Sequence, residues 1–165
     1  RGLGFDMKVL YHSRTRKRDL EKEYGLKYAS FKRVLAESDF LSIHVPLTPQ
    51  TNHFIGEKQL QMMKPSSILV NLSRGPVVDT DALHQALTNG TIAGAGLDVF
   101  DPEPVPTDHP ILGLDNVVVL PHIGSASNRS RRDMHLLAAR NLVAGLNGDR
   151  LEECANPEVY ESLGI

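Results

Sequence analysis

Short apolar runs separated by helical patterns recur along this chain, and that alternation points to one architecture, a parallel sheet packed with helices. The runs cover residues 7–11 (MKVLY), 40–45 (FLSIHV), 68–72 (ILVNL), 92–99 (IAGAGLDV) and 117–120 (VVVL). Pro46 and Pro121 close the second and the fifth. None alternates strictly with polar residues, as expected of strands buried on both faces. Between them lie helix candidates with legible ends. Ser30 caps residues 31–37, with Val34 and Leu35 on the inner face, and Gly56 precedes residues 57–63, which Pro65 terminates. Asp79 or Thr80 caps residues 81–87, and Asn89-Gly90 stops them. The longest pattern, residues 128–146, carries Met134, Leu137, Ala138 and Leu142 on one stripe, with Gly148 beyond it. Right-handed crossovers between such units make a doubly wound, Rossmann-like α/β sheet.

The sheet read this way lacks its opening. No Gly-x-Gly-x-x-Gly stands between a first strand and a first helix; Gly2-Leu3-Gly4 has no strand before it and reads as a turn into the first run. The chain begins at Arg1, so it is expected to be partial, with the phosphate loop, the first strand and most of a second domain upstream. Residues 1–124 are then the C-terminal part of a dinucleotide-binding domain. Residues 125–165 form a helix and tail returning to a substrate domain, and the helix should expose its apolar stripe. Such a piece is expected to have little activity alone.

A net charge of −2 offers no electrostatic reason to bind nucleic acid or an anionic membrane, and no apolar run is long enough to span a bilayer. The single cysteine, Cys154, cannot form an internal disulfide, which fits a reducing, cytoplasmic setting.

In open α/β sheets, ligands gather at the carboxyl ends of the strands. There this sequence places His12-Ser13-Arg14, then Pro46-Leu47-Thr48, then Ser73-Arg74-Gly75, then Asp98 followed by Glu103, and finally Pro121-His122-Ile123-Gly124. The residue types suit reduction of a 2-oxo acid. A guanidinium holds a carboxylate in planar, bidentate fashion and polarises the adjacent carbonyl, which is the task for Arg74. Hydride arrival leaves charge on the carbonyl oxygen, and an imidazole such as His122 can supply the proton. A carboxylate beside it, Glu103, orients the ring and favours its charged form.

Four segments carry a family resemblance. Residues 71–79 (NLSRGPVVD) resemble the N-x-x-R-G-x-x-V-D signature of D-isomer-specific 2-hydroxyacid dehydrogenases, and residues 96–104 (GLDVFDPEP) resemble their G-x-D-V-F…P-E-P segment. Pro121-His122-Ile123-Gly124-Ser125 resembles their histidine motif, and His44-Val45-Pro46-Leu47-Thr48 their loop beside the nicotinamide. The similarity runs from about Met7 to Gly148. The proline pattern from Pro104 to Pro110 is most like glyoxylate/hydroxypyruvate reductases, whereas a formate dehydrogenase is expected to have glutamine in place of Glu103. The resemblance implies Arg74, Glu103 and His122 as the catalytic set and Asp98 against the nicotinamide amide. It further implies cofactor contacts from His44, Val45, Pro46, Thr51, Leu72, Ser73, Arg74, His122 and Gly124, and a homodimer.

Cofactor preference is read after the first run. NAD enzymes place an acid there for the ribose hydroxyls. Here His12-Ser13-Arg14-Thr15-Arg16-Lys17-Arg18 has no acid before Asp19, so NADP(H) is expected over NAD(H), through Ser13 and Arg14 with Arg16 assisting. Set against this, the basic run from Arg14 to Arg18 also reads as a solvated turn or a weak polyanion patch. His12, His53, His84, His109 and His135 are expected to be structural or exposed, Met62 and Met63 to fill the core, and Arg129, Arg131 and Arg132 to form an exposed helix start. Two alternatives stand beside the reductase: another 2-hydroxyacid dehydrogenase, of phosphoglycerate or 2-ketogluconate type, and a non-enzymatic dinucleotide-sensing corepressor.

Overall fold

The computed structural model describes residues 1–164. The chain divides into two compact units, the first Arg1–His122 and the second beginning at Ile123.

The first unit contains a four-stranded parallel sheet in sequential order, β3 (Phe40–Ile43), β4 (Ile68–Asn71), β5 (Gly94–Leu97) and β6 (Val117–Val119). Its register puts Ile43, Asn71, Leu97 and Val119 in one row, so all four carboxyl ends finish level. The ladder continues one step further, with the Asp98 amide donating to the Asn71 carbonyl at 3.1 Å and the Leu120 amide to the Leu97 carbonyl at 2.8 Å.

Helices α2 (Phe31–Glu37), α3 (Glu57–Leu60) and α4 (Thr80–Thr88) supply Val34, Leu35, Leu60, Leu83, Ala86 and Leu87 to a core shared with Leu41, Ile43, Leu69, Ala95 and Leu97 of the sheet. Their ends follow local chemistry. Ser30 and Asp79 accept hydrogen bonds from the third residue onward, Arg33 and Ala82, as N-caps do. Helix α3 is shorter than expected because its last turn tightens to i−3 bonds at Met62 and Met63 before Pro65. Met63 reaches the core and Met62 does not. The expectation of strands buried on both faces fails at the sheet's margins. In β3, Leu41 and Ile43 are buried while Phe40 and Ser42 on the opposite face are exposed, and Val118 and Val119 of β6 are exposed too.

The first apolar run departs further from expectation. Only Leu10–Tyr11 forms a strand, β1, and it joins a separate two-stranded parallel sheet with β2 (Lys27–Tyr28). Helix α1 (Arg18–Tyr24) crosses between them and ends at Gly25, whose φ of 67° suits a residue without a side chain. Neither α1 nor β2 has a buried residue, so neither left an apolar pattern in the sequence. Gly2–Phe5 is a short 3-10 turn leading toward β1.

In the second unit, α5 (Asn128–Asn147) runs from its Ser127 cap to Gly148, with φ 78°. It buries no residue; of the expected stripe Met134, Ala138 and Leu142 are exposed and Leu137 is half-buried, while Leu136, Val143 and Leu146, outside that stripe, are exposed as well. Arg129 and Arg132 sit at its exposed start beside Asp133. Helix α6 (Val159–Leu163) carries the buried Tyr160, whose hydroxyl accepts from the Leu151 amide at 2.9 Å. Among the described residues no helix is long and apolar enough to cross a membrane.

Candidate active site

Because the sheet is parallel and its strand ends are level, the residues just beyond them share one rim. His44 follows β3, the 72–75 turn follows β4, Asp98 follows β5, and Leu120-Pro121-His122 follows β6. With strands about 4.8 Å apart, the ends of β4 and β6 lie only about 10 Å from each other.

His122 and Glu103 meet directly on this rim. The imidazole Nδ1–H donates to Glu103 Oε1 at 2.5 Å, both side chains being partly open to solvent. A carboxylate only accepts, so the proton sits on Nδ1 in either charge state and Nε2 is left as the exchangeable position. His122 holds a left-handed backbone, φ 54°, a region that non-glycine residues rarely occupy and that turns the chain sharply after Pro121. Glu103 stands between two prolines, both in cis peptide linkage. The pair lines an apolar recess of about 290 Å³ with Phe100, Pro104, Val105 and Leu120. Asp98 also lines it, almost wholly buried.

Arg74 occupies the neighbouring cleft, about 500 Å³, framed by His44, Val45, Pro46, Leu47, Leu72 and Ser73. Its guanidinium is exposed, and Nη1 donates to the Ser73 carbonyl at 2.7 Å. The expected catalytic residues therefore share the rim as a contacting acid–imidazole pair and a separate arginine. Two features hold the arginine's turn in place; both residues stand in the 71–79 signature, but their structural tasks were not assigned from the sequence. Asn71, the buried last residue of β4, bonds to Ser73 and Arg74 through its side-chain amide. Gly75 lies so close to the 100–101 peptide that a Cβ on it would stand 1.7 Å from the Phe100 carbonyl oxygen. Only glycine allows that approach, which ties the Arg74 turn to the loop bearing Glu103.

Two expected cofactor contacts look different in three dimensions. Thr51 accepts from the Thr48 amide at 2.8 Å and donates to the Pro46 carbonyl at 2.7 Å, so its hydroxyl locks the 44–51 loop from within. Arg16 is bound bidentately by Glu21 at 2.8 and 2.7 Å and lies over the Tyr28 ring at 5.5 Å. The Tyr11 hydroxyl also donates to Glu21, at 2.7 Å, and these bonds hold the Glu21 carboxyl far below its ordinary range, at about 2. The sequence shows no acid before Asp19, but a turn of α1 brings Glu21 back beside the basic run. Ser13 donates to the Thr15 carbonyl at 2.7 Å, whereas Arg14 is exposed and has no polar side-chain partner among the described residues. Gly124 belongs to the second unit.

Three histidines set aside by the sequence have partners of their own. His12 Nδ1 donates to the Ala29 carbonyl, His53 lies 3.7 Å from Asp79, and His109 Nδ1 accepts from the Ile111 amide. Among the described residues no group of histidine, cysteine and carboxylate side chains is arranged to hold a metal ion.

Residues 1–124 match the family described as D-isomer specific 2-hydroxyacid dehydrogenase, NAD binding domain. The glyoxylate/hydroxypyruvate reductase B of Pectobacterium carotovorum subsp. carotovorum is 53% identical over 158 residues, which are 96% of this chain and 49% of that protein. The glyoxylate reductase of Thermococcus litoralis is 52% identical over 162 residues, 98% of this chain and 49% of that protein. The chain thus spans about half the length of the curated relatives it matches. Among solved structures, the TT0316 protein of Thermus thermophilus superposes with a TM-score of 0.85 at 44% identity, covering 92% of this chain and 47% of that one. The NAD-complexed D-isomer specific 2-hydroxyacid dehydrogenase of Lactobacillus delbrueckii ssp. bulgaricus gives 0.81 at 35%, covering 91% and 49%.

Proposed function

The chain belongs to the D-isomer-specific 2-hydroxyacid dehydrogenases, its residues 1–124 matching their NAD-binding domain, and on that premise we propose that its protein reduces a small 2-oxo acid, glyoxylate or hydroxypyruvate, to the 2-hydroxy acid. The observation that carries the reading is the His122–Glu103 pair at 2.5 Å on the same rim as Arg74.

The residues present suit a nicotinamide dinucleotide. The level strand ends leave a polar cleft at His44 and Arg74 beside an apolar recess, with the buried Asp98 carboxylate at the recess wall. The dinucleotide, when bound, supplies the hydride that the carbonyl carbon receives. Arg74 holds the substrate carboxylate with its guanidinium fork, releasing the Ser73 carbonyl to do so, and fixes the carbonyl's direction. His122 gives its Nε2 proton to the carbonyl oxygen as charge develops there, which completes the 2-hydroxy acid. Glu103 keeps Nδ1–H in place and fixes the direction in which the ring presents Nε2.

Of the two nicotinamide dinucleotides, the phosphorylated one is our choice. Arg14 offers an exposed, unengaged cation after β1, and Ser13 a hydroxyl beside it. Arg16, tied to Glu21, contributes less than the sequence implied. Residues 125–165 we assign to the substrate domain and the assembly to a homodimer in the cytoplasm.

The test is oxidation of NADPH by the full-length protein with glyoxylate, hydroxypyruvate and larger 2-oxo acids. Turnover with the two small acids is expected. Nucleotide binding without turnover of any 2-oxo acid would overturn the proposal in favour of a dinucleotide sensor.

A further inference from the structure

Asn71 is 1% exposed and closes strand β4, so a polar side chain there must find its partners inside the protein. It finds them all in the next three residues. Its Nδ2–H donates to the Arg74 carbonyl at 3.0 Å; its Oδ1 accepts from the Ser73 amide at 3.1 Å and from the Ser73 hydroxyl at 3.0 Å. Its backbone carbonyl accepts from the Asp98 amide at 3.1 Å, in the adjacent strand. A single residue thus binds the turn that carries Arg74 and the strand end that carries Asp98.

We propose that Asn71 is a positioning residue, which aims the Arg74 guanidinium and sets its distance from the Asp98 strand end; this rests on the role given to Arg74 in the proposed function. Only an amide fits. The contacts need a donor and an acceptor on one short side chain, and aspartate, though of the same shape, has no donor for the Arg74 carbonyl. Without the clamp, the 72–74 segment is free to take other backbone conformations, and an arginine displaced by an ångström no longer presents its fork to a carboxylate held beside the proton donor. The dinucleotide would be held from several strand ends, of which the turn of Leu72, Ser73 and Arg74 is only one.

A double-mutant cycle in the full-length protein tests this, with Asn71→Asp, Arg74→Ala and the pair combined. In the parent, Asn71→Asp is expected to lower kcat/KM for the 2-oxo acid by about ten- to a hundredfold, with the Kd for NADPH changed less than about twofold. In the Arg74→Ala background the same substitution should cost almost nothing. Equal losses in both backgrounds would overturn the proposal while leaving the function intact. Undiminished turnover in Arg74→Ala would remove the role of Arg74 and this proposal with it. Should the buried carboxylate prevent folding, Ser73→Ala, which deletes only the hydroxyl's bond to Oδ1, is expected to lower kcat/KM by about twofold to fivefold in the parent. A loss of the same size in the Arg74→Ala background would again overturn the proposal.

Discussion

His122 and Glu103, nineteen residues apart in sequence, share a 2.5 Å hydrogen bond from imidazole Nδ1 to carboxylate Oε1, which in the proposed reaction leaves Nε2 for proton transfer. The expected consequence is graded. His122→Asn removes the proton donor and should lower kcat by about 10²- to 10⁴-fold. Glu103→Gln keeps an acceptor for Nδ1 without the charge, and should cost a smaller factor, about ten- to a hundredfold. Steady-state kinetics alongside NADPH titration would check both, since nucleotide affinity should hardly move. Equal losses from the two substitutions would contradict the division of labour.

Gly75 is the contact point between the Arg74 turn and the loop of Glu103. An alanine Cβ there would overlap the Phe100 carbonyl, and that atom belongs to the backbone and cannot swing aside. Gly75→Ala is therefore expected to destabilise the fold by about 1–3 kcal/mol and to raise the KM for the 2-oxo acid as the two loops separate. Thermal melting and kinetics on the same preparation would show it; an unchanged Tm would mean the loops can part at no cost.

The choice of nucleotide should rest on Arg14 more than on Arg16. Arg14→Ala is expected to raise the KM for NADPH by roughly tenfold or more, the scale of a charged hydrogen bond, and leave that for NADH nearly unaltered. Arg16→Met should shift the ratio by less than about threefold, because its guanidinium is already neutralised by Glu21. A larger effect at Arg16 than at Arg14 would reverse the assignment.

Acid should loosen the region around β1 in a definite window. Glu21 has its carboxyl lowered from 4.5 to about 2, first by the Arg16 hydrogen bond and then by that of Tyr11. A lowered folded-state value means the stabilisation is complete above the unfolded value near 4.5 and disappears as the pH falls through about 2. Glu21→Gln should therefore lower Tm at neutral pH and flatten its decline over that window. Parallel Tm-against-pH curves for parent and variant would refute it.

Local chemistry was enough to read much of the chain. Apolar runs bounded by turn residues marked the four strands of the main sheet, and Ser30, Asp79 and Gly148 marked helix ends, because a cap bonds to its own neighbours and needs nothing distant. The candidate site was legible for a related reason: in a parallel sheet every carboxyl end faces one rim, so residues just past each run converge whatever their separation. What stayed hidden depends on approach between segments remote in sequence. Helix α1 and strand β2 bury nothing and so have no apolar signature. The pairing of β1 with β2, the capture of Arg16 by Glu21 and the fit of Gly75 against Phe100 arise from close packing, where a few tenths of an ångström decide whether a hydrogen bond forms or a side chain clashes. Asn71 shows the difference within one residue. Its place in a motif could be read from the chain, but its three side-chain bonds exist only once burial has cut it off from water.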